Sequence, residues 1–513
     1  MKISFKKIGL LFIFSSVALA DQVVFLEKAE ESLQARYDLI STATQTIEAQ
    51  YYNVDNDRIS ISSLALLREA ARRGVRVRIL VDSMNNLLPQ ELMGALLDSL
   101  TLEQINRIQI REYNSFNLLQ PLCYTRRMHD KALIIDGNKL IVGDRNVANG
   151  YYDQIKTTNG SSVPLFEGMD VMLKGNMAGQ ALKYFNERWN SKDVKKINLY
   201  NFSHENLHGP TACTYTEGNS AVCEQKRRDN IALLKNEMKK FDNSIQRIQS
   251  GQGLVLTNSG IDWFSNAYRT EDVHFLHDQV SSVCRGKIKE NNIGENLFAA
   301  IEHETKQSLM IVTPYLVVTP QMEAMISKLI RRGVRVRFIT NSMASNDVSG
   351  AYSGYLKTRE KLLRLNKNDS LGSVKIYEYS HVDQGVFVTL HAKMVLIDNS
   401  KVFIGSYNWD FRSEKLNSEV GVLIGLDGLK KSSQVHDIRN RLADILKTTQ
   451  LTSFKEVVSG QDTTQSFSQT LNQADFTDEE LNGLVSEYET RKNNVGFWNS
   501  LLQLKFLNLI EQL

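Results

Sequence analysis

The sequence predicts an α/β fold made of two duplicated halves, each a mixed or parallel β-sheet flanked by helices. Two repeats carry that prediction. RRGVRVRILVDS at residues 72–83 returns almost unchanged as RRGVRVRFITNS at residues 331–342. His129-Asp-Lys131-Ala-Leu-Ile-Ile-Asp136 returns as His391-Ala-Lys393-Met-Val-Leu-Ile-Asp398. Nearly the same offset separates both pairs, so a whole α/β block is duplicated and not one motif. The third observation is the strand–helix–strand order around each RRGVRVR block, which right-handed crossovers close into a sheet with helices on its faces.

Taken in order, residues 1–20 read as a signal peptide. Lys2, Lys6 and Lys7 form a basic start, residues 8–17 an apolar core, and Ala18-Leu19-Ala20 an A-x-A cleavage site. The apolar stretch is short for a bilayer span, so cleavage and export are expected over a retained anchor. The first half covers residues 21–191. It holds a helix over 27–44, a strand over 46–52, an amphipathic helix over 62–73 closed by Gly74, and an alternating strand over 75–81. The second half covers 293–448 and repeats the pattern: a strand over 310–315, a helix over 325–332, Gly333 as cap, and a strand over 334–340. The arginines in these strands alternate with valine, which fits a strand with solvated polar faces better than a nucleic-acid surface.

Residues 192–292 read as an insertion between the halves, with a charged helix over 225–250, placed to cap the site. Of the four cysteines, Cys123, Cys213, Cys223 and Cys284, export makes disulfides possible. Cys213 and Cys223 flank a Gly-Asn turn and are the proposed pair, against four free thiols. His204 and His208 have the spacing of a helical metal pair, but Gly209-Pro210 follows directly, and His274 and His277 fare no better; no metal site is expected. Residues 449–513 form a C-terminal extension, polar to 492 and then apolar. Trp498, Leu502, Phe506, Leu509 and Leu513 share one helical face. Two readings stand: an interfacial membrane helix or a terminal helix docked on the core.

The 513 residues exceed one ordinary domain. Lys and Arg number 61 against 58 Asp and Glu, a net charge of +3 that argues against a broad nucleic-acid-binding surface. Positive charge is instead local. Residues two apart on a strand point the same way, so His129 with Lys131, and His391 with Lys393, each pair an imidazole with an ammonium and make an anion site. Cleaving a phosphodiester needs a nucleophile, a proton for the leaving oxygen and positive charge for the equatorial oxygens. Two histidines and two lysines match that list. Ten residues after each Asp stands an Asn, in Gly143-Asp144-Arg145-Asn146 and Gly405-Ser406-Tyr407-Asn408.

These motifs resemble the phospholipase D superfamily, whose mark is two H-x-K-x4-D motifs meeting in one active site, here at the interface between the halves. Over residues 30–450 and the extreme C-terminus the chain looks most like bacterial cardiolipin synthases of the C type and related exported phospholipases D. QYYNVDNDR, RMHDKALIIDG, GDRNVANGYYD, TPYLVVTP, TNSMASNDV and GSYNWDFRSEKLNSEVG carry that likeness. The resemblance implies a phospholipid substrate, a phosphohistidine intermediate, no metal or other cofactor, and an exported, peripherally membrane-associated enzyme. It makes His129 the nucleophile and His391 the acid/base, with Lys131 and Lys393 on the phosphoryl oxygens. Asp136 and Asp398 organise the site, and Asn146, Asn408 and Ser406 serve the phosphate. Glu419 is placed to hold one catalytic His, and Asp170 stands at the matching place in the first half. Asp144 departs from the family, which has Gly or Ser there, and a carboxylate beside the phosphate is expected to be repulsive unless an arginine neutralises it. Water as acceptor gives phosphatidic acid; an alcohol gives cardiolipin or an exchanged head group. Export tilts the reading toward a secreted phospholipase D, with a periplasm-facing synthase close behind. A superfamily nuclease is the alternative from another class, and a non-enzymatic lipid-binding protein the third reading. The sequence carries no signal for an oligomeric state.

Overall fold

In the computed structural model the RRGVRVR repeats form strands Arg76–Asp82 and Arg335–Asn341. Each pairs in parallel with the strand before it, Thr46–Tyr51 or Ser308–Val312. The structure describes residues 20–197, 221–250, 260–280, 292–426 and 454–456, apart from short internal gaps. The connecting helices are Arg58–Arg72 and Pro320–Arg331. The first starts earlier than periodicity suggests because the Asp57 side chain accepts from the Ser60 N–H at 3.1 Å. The second opens with Thr319 accepting from the Met322 N–H at 3.3 Å and with Pro320 in its first turn. Both satisfy amides that a helix start leaves unpaired. Gly74 (φ 94°) and Gly333 (φ 89°) then stop the helices in a left-handed conformation that a Cβ disfavours.

The first sheet has nine strands, in spatial order Val194–Lys196, Ile108–Tyr113, Arg76–Asp82, Thr46–Tyr51, Lys131–Ile135, Lys139–Gly143, Asp170–Lys174, Asp21–Leu26 and Tyr268–Thr270. The second has eight: Val273–His277, Val420–Gly425, Lys401–Gly405, Met394–Ile397, Ser308–Val312, Arg335–Asn341, Ser373–Tyr379 and Phe454–Glu456. Each sheet is mixed, and the six central strands of one follow the order of the other. One apolar core lies between the sheets and joins Val142 and Val171 to Ile404 and Val422, with Phe185 of helix Asn176–Trp189 in the same layer. Two further cores bury the outer faces under helices, one in each half.

The described parts of the stretch between the halves pack on the outside of the first half and at the sheet edges. Helix Ala221–Ser250 packs on helices Arg58–Arg72 and Gln90–Leu97, outside the first half, with Asp242 3.1 Å from Arg68. Strands Tyr268–Thr270 and Val273–His277 then extend one sheet each, so this segment stitches the halves together. The arginine strands also differ from a simple solvated face. Arg78 lies 2.8 Å from the buried Glu48 and stacks on Phe185 and Trp189, whereas Arg76 is exposed. Cys123 is disulfide-bonded. Residues 1–19 of the expected signal peptide, Cys213, His204, His208 and the stretch expected to form an apolar terminal helix lie outside the described residues. Among the described residues no helix is long and apolar enough to cross a membrane.

Candidate active site

Each His/Lys motif is anchored on the opposite half. The backbone N–H of His129 donates to the Ser418 carbonyl at 2.9 Å, and that of Ser418 donates to Arg127 at 2.9 Å. The N–H of His391 donates to the Glu167 carbonyl at 2.7 Å, where Val386–Leu390 runs parallel to Phe166–Glu167. The motifs thereby enter the interface as a pseudo-twofold pair. Lys131 Nζ donates to the His129 carbonyl at 2.8 Å, and Lys393 Nζ to the His391 carbonyl at 2.7 Å.

The two imidazoles feel one another's surroundings. Burial, then Lys131, then Lys393 push His129 well below its ordinary value. Burial, then Lys393, Lys131 and His129 do the same to His391. Burial drives Lys131 down to about 7 and Lys393 down to about 8, with Glu419 opposing in the first and Asp144 and Glu419 in the second. His129 and His391 are only 7% and 5% exposed, so this cluster of cationic groups sits in a water-poor pocket. An anion there offsets the repulsion that depresses them.

Each histidine takes a carboxylate from the other half. Glu419 Oε2 lies 2.8 Å from His129 Nδ1. Ser406 Oγ donates to the same oxygen at 2.5 Å and Ser413 Oγ to the other at 2.6 Å. For His391 the partner is Asp144, whose Oδ1 lies 3.2 Å from Nδ1. Asp144 is thus no intruder beside the phosphate; the repulsive role expected of it is corrected by its position behind the imidazole. Asp170, expected at the place of the histidine-holding acid in the first half, does not hold a histidine. It is buried between Arg36 at 3.0 Å and Arg145 at 3.2 Å and accepts from Ser32 Oγ at 2.6 Å. Against burial, which raises it, those two arginines hold its carboxyl below the ordinary range.

Asp136 and Asp398 stand at the far ends of the motif strands, five extended residues or about 17 Å from the lysines. Both adopt left-handed φ, 51° and 48°. Asp136 accepts from the N–H groups of Gln45 at 2.7 Å and Thr46 at 3.0 Å. Asp398 accepts from Gln307 at 2.9 Å and Ser308 at 2.7 Å. They lock the loop before the central strand to the motif strand and do not line the pocket. Asn146 donates to the Tyr151 hydroxyl at 2.7 Å, and that hydroxyl lies 3.3 Å from His391 Nε2. Asn146 and Asn408 are buried, each with an Oδ1 that has no partner among the described residues. Tyr52 sets its edge against His129 with centroids 4.8 Å apart. Sequence reasoning missed Tyr52, Tyr151 and Ser413. Tyr151 was within reach, because it stands five residues after a motif Asn.

Paired His and Lys from duplicated halves, each His backed by a carboxylate, define a phospholipase D-type site. The family model "Cardiolipin synthase, PLD-like domain" matches residues 37–159 and 298–440, one stretch in each half. Cardiolipin synthase C of Escherichia coli (strain K12) is 30% identical over 78% of this chain and 80% of its own. An uncharacterised protein of Helicobacter pylori (strain ATCC 700392 / 26695) is 26% identical over 78% of this chain and 75% of its own. The fold is similar to that of phosphatidylserine synthase of Haemophilus influenzae Rd KW20, with a TM-score of 0.54 at 15% identity, covering 94% of this chain and 96% of that one. The chain belongs to the cardiolipin synthase-like branch of the phospholipase D superfamily.

Proposed function

We infer that this enzyme, a phosphodiesterase/phosphatidyltransferase by family, cleaves a glycerophospholipid through a phosphohistidine and passes the phosphatidyl group to an alcohol acceptor. The observation that carries the reading is the burial of both His/Lys pairs in one pocket with a carboxylate behind each imidazole. Glu419 fixes the proton of His129 on Nδ1, and among the described residues no hydrogen-bond partner occupies its Nε2. That favours His129 as the nucleophile. Attack by Nε2 on phosphorus forms an N–P bond as the P–O bond to the departing alcohol breaks. His391 supplies the proton to that oxygen, and the incoming anion raises its basicity for the task. In the second half-reaction His391 takes the proton of the acceptor hydroxyl, the new P–O bond forms, and His129 is released. Lys131 and Lys393 carry the phosphoryl charge throughout. A pocket this dry favours an alcohol over water as acceptor. Hydrolysis to phosphatidic acid is the second reading, favoured by the export-like N-terminus.

The export reading is itself part of the proposal: a periplasmic or secreted protein working at a membrane surface. The disulfide at Cys123 supports it, because such bonds persist in oxidising compartments. Labelled phosphatidylglycerol with and without added glycerol tests the reaction. Cardiolipin, or a head group exchanged in proportion to the added alcohol, is expected. Phosphatidic acid alone selects hydrolysis, and no lipid turnover with plasmid DNA cut instead overturns the assignment.

A further inference from the structure

The duplicated halves give each position near the pocket a counterpart, and the registers of two separate contacts define those counterparts. Asp144 N–H donates to the Met169 carbonyl, and Ser406 N–H to Val420. Asp144 follows Gly143 as Ser406 follows Gly405, so Met169 corresponds to Val420. Independently, His391 N–H donates to the Glu167 carbonyl, and His129 N–H to Ser418. Glu167 therefore corresponds to Ser418. Both registers make Gly168 the counterpart of Glu419. The position that supplies the carboxylate in one half has no side chain in the other. Sheet pairing places Asp170 elsewhere: Asp170 lies opposite Gly143 as Gly421 lies opposite Gly405.

The missing side chain and the unusual one compete for the same space. A Cβ on Gly168 would overlap Oδ1 of Asp144 and lie 3.3 Å from its carboxylate carbon. Asp144 thus reaches His391 through the volume that a residue at 168 would fill. In the second half the small Ser406 leaves that volume to Glu419 and donates to it at 2.5 Å.

The hydrogen bonds around His391 give the carboxylate a defined task. The Tyr151 hydroxyl accepts from Asn146 and keeps one proton and a second lone pair, so it meets His391 Nε2 in either tautomer, and Lys393 Nζ lies 3.2 Å from both ring nitrogens. The carboxylate decides between them: Asp144 Oδ1, an acceptor facing Nδ1, draws the ring proton there and leaves Nε2 an acceptor. The Met169 N–H holds the other oxygen, Oδ2, at 2.7 Å and stops the carboxylate from turning away.

We propose that the first-half acid which orients the acid/base histidine has moved from position 168 to position 144, so that Asp144 is the positioning residue for His391 and Gly168 is the vacancy that admits it. The two positions form one exchangeable unit: a carboxylate at either serves, at neither fails, and at both clashes. Position 168 tolerates a side chain on backbone grounds, because Gly168 is not among the left-handed residues. The other neighbour of a new Cβ is the Cγ of Arg145 at 3.1 Å.

The inference uses the proposed lipid chemistry only as one of two readouts. The first is kcat and KM of wild type, Asp144→Gly, Gly168→Asp and the double variant Asp144→Gly/Gly168→Asp, on labelled phosphatidylglycerol. Each single variant is expected to lose about 10²- to 10⁴-fold in kcat with KM little changed, as when the carboxylate behind a catalytic histidine is lost. The double variant is expected to recover at least about tenfold over Asp144→Gly. Wild-type kcat in Asp144→Gly, or a folded double variant no better than the single ones, overturns the proposal. The second readout is the tautomer of His391 by ¹⁵N NMR, which needs no turnover and no double variant. Wild type is expected to carry the proton on Nδ1. In the isosteric Asp144→Asn the Met169 N–H claims the amide oxygen, the NH2 faces Nδ1, and the proton moves to Nε2. The same tautomer in both proteins overturns the proposal. Wild type that turns over no phospholipid defeats the proposed function alone, and the tautomer comparison still decides this inference.

Discussion

Burial drags the Lys131 ammonium down to about 7 and the Lys393 ammonium down to about 8, inside the range where enzymes are assayed. Both must be protonated to hold a phosphodiester. In the free enzyme the cationic form is lost as pH rises through these values, so kcat/KM falls between about pH 7 and 8. A bound phosphate anion stabilises the ammonium forms, so the alkaline limb of kcat lies higher. His129, the nucleophile, is held well below its ordinary value, remains neutral down to acidic pH and places the acid limb below 6.5, whereas His391 gains the proton it donates as the bound anion raises its basicity. Paired pH profiles of kcat/KM and kcat check this, and an alkaline limb at the same pH in both contradicts it. At this scale the sequence was legible wherever residue type and spacing carry the chemistry: His129, Lys131, His391, Lys393 and Glu419 all meet in the pocket. Asp144 and Asp170 were not legible. The stretch from Asn146 to Gly168 is longer than that from Asn408 to Glu419, so the counterpart of Glu419 can be found only through hydrogen-bond register across the interface.

The motif strands explain why a motif is not a site. Lys131–Ile135 and Met394–Ile397 begin in the pocket and end away from it, and each final Asp caps the loop before a central strand. For Asp136, burial raises the carboxyl, but the N–H groups of Gln45, Thr46 and Thr44 outweigh it and hold the group below its ordinary value. Replacing Asp398 by Ala leaves the N–H groups of Lys306, Gln307 and Ser308 without this acceptor and loses a residue type that tolerates left-handed φ. A cost of about 1–3 kcal/mol is expected, with less for Asp398→Asn. Denaturant unfolding checks the cost, and kcat measured on the folded fraction is expected to stay near wild type; a large loss of kcat without loss of stability returns Asp398 to the pocket. The strands and helices of the repeats were legible from period and caps. The edge strands Tyr268–Thr270, Val273–His277 and Phe454–Glu456 were not, because short edge strands carry too little pattern to stand out from a loop.

At the scale of the whole molecule, duplication does two jobs. It builds two sheets that share one core, and it gives each half one imidazole and the carboxylate for the other's. Glu419 reaches His129 from the second half, and Asp144 reaches His391 from the first. Neither half is complete without its twin, and the two are one continuous chain, so the site forms within a single molecule. The duplication itself was legible in the RRGVRVR and His-x-Lys repeats. The crossing of the carboxylates was not, since only the packing of the sheets brings residues so far apart in sequence together. The shared site is tested most directly by turnover of labelled phosphatidylglycerol in His129→Ala, in His391→Ala and in their equimolar mixture. All three are expected to stand at background, because each molecule lacks half of its own pair. Substantial turnover in either single variant, or recovery on mixing, contradicts a site shared by the two halves of one chain.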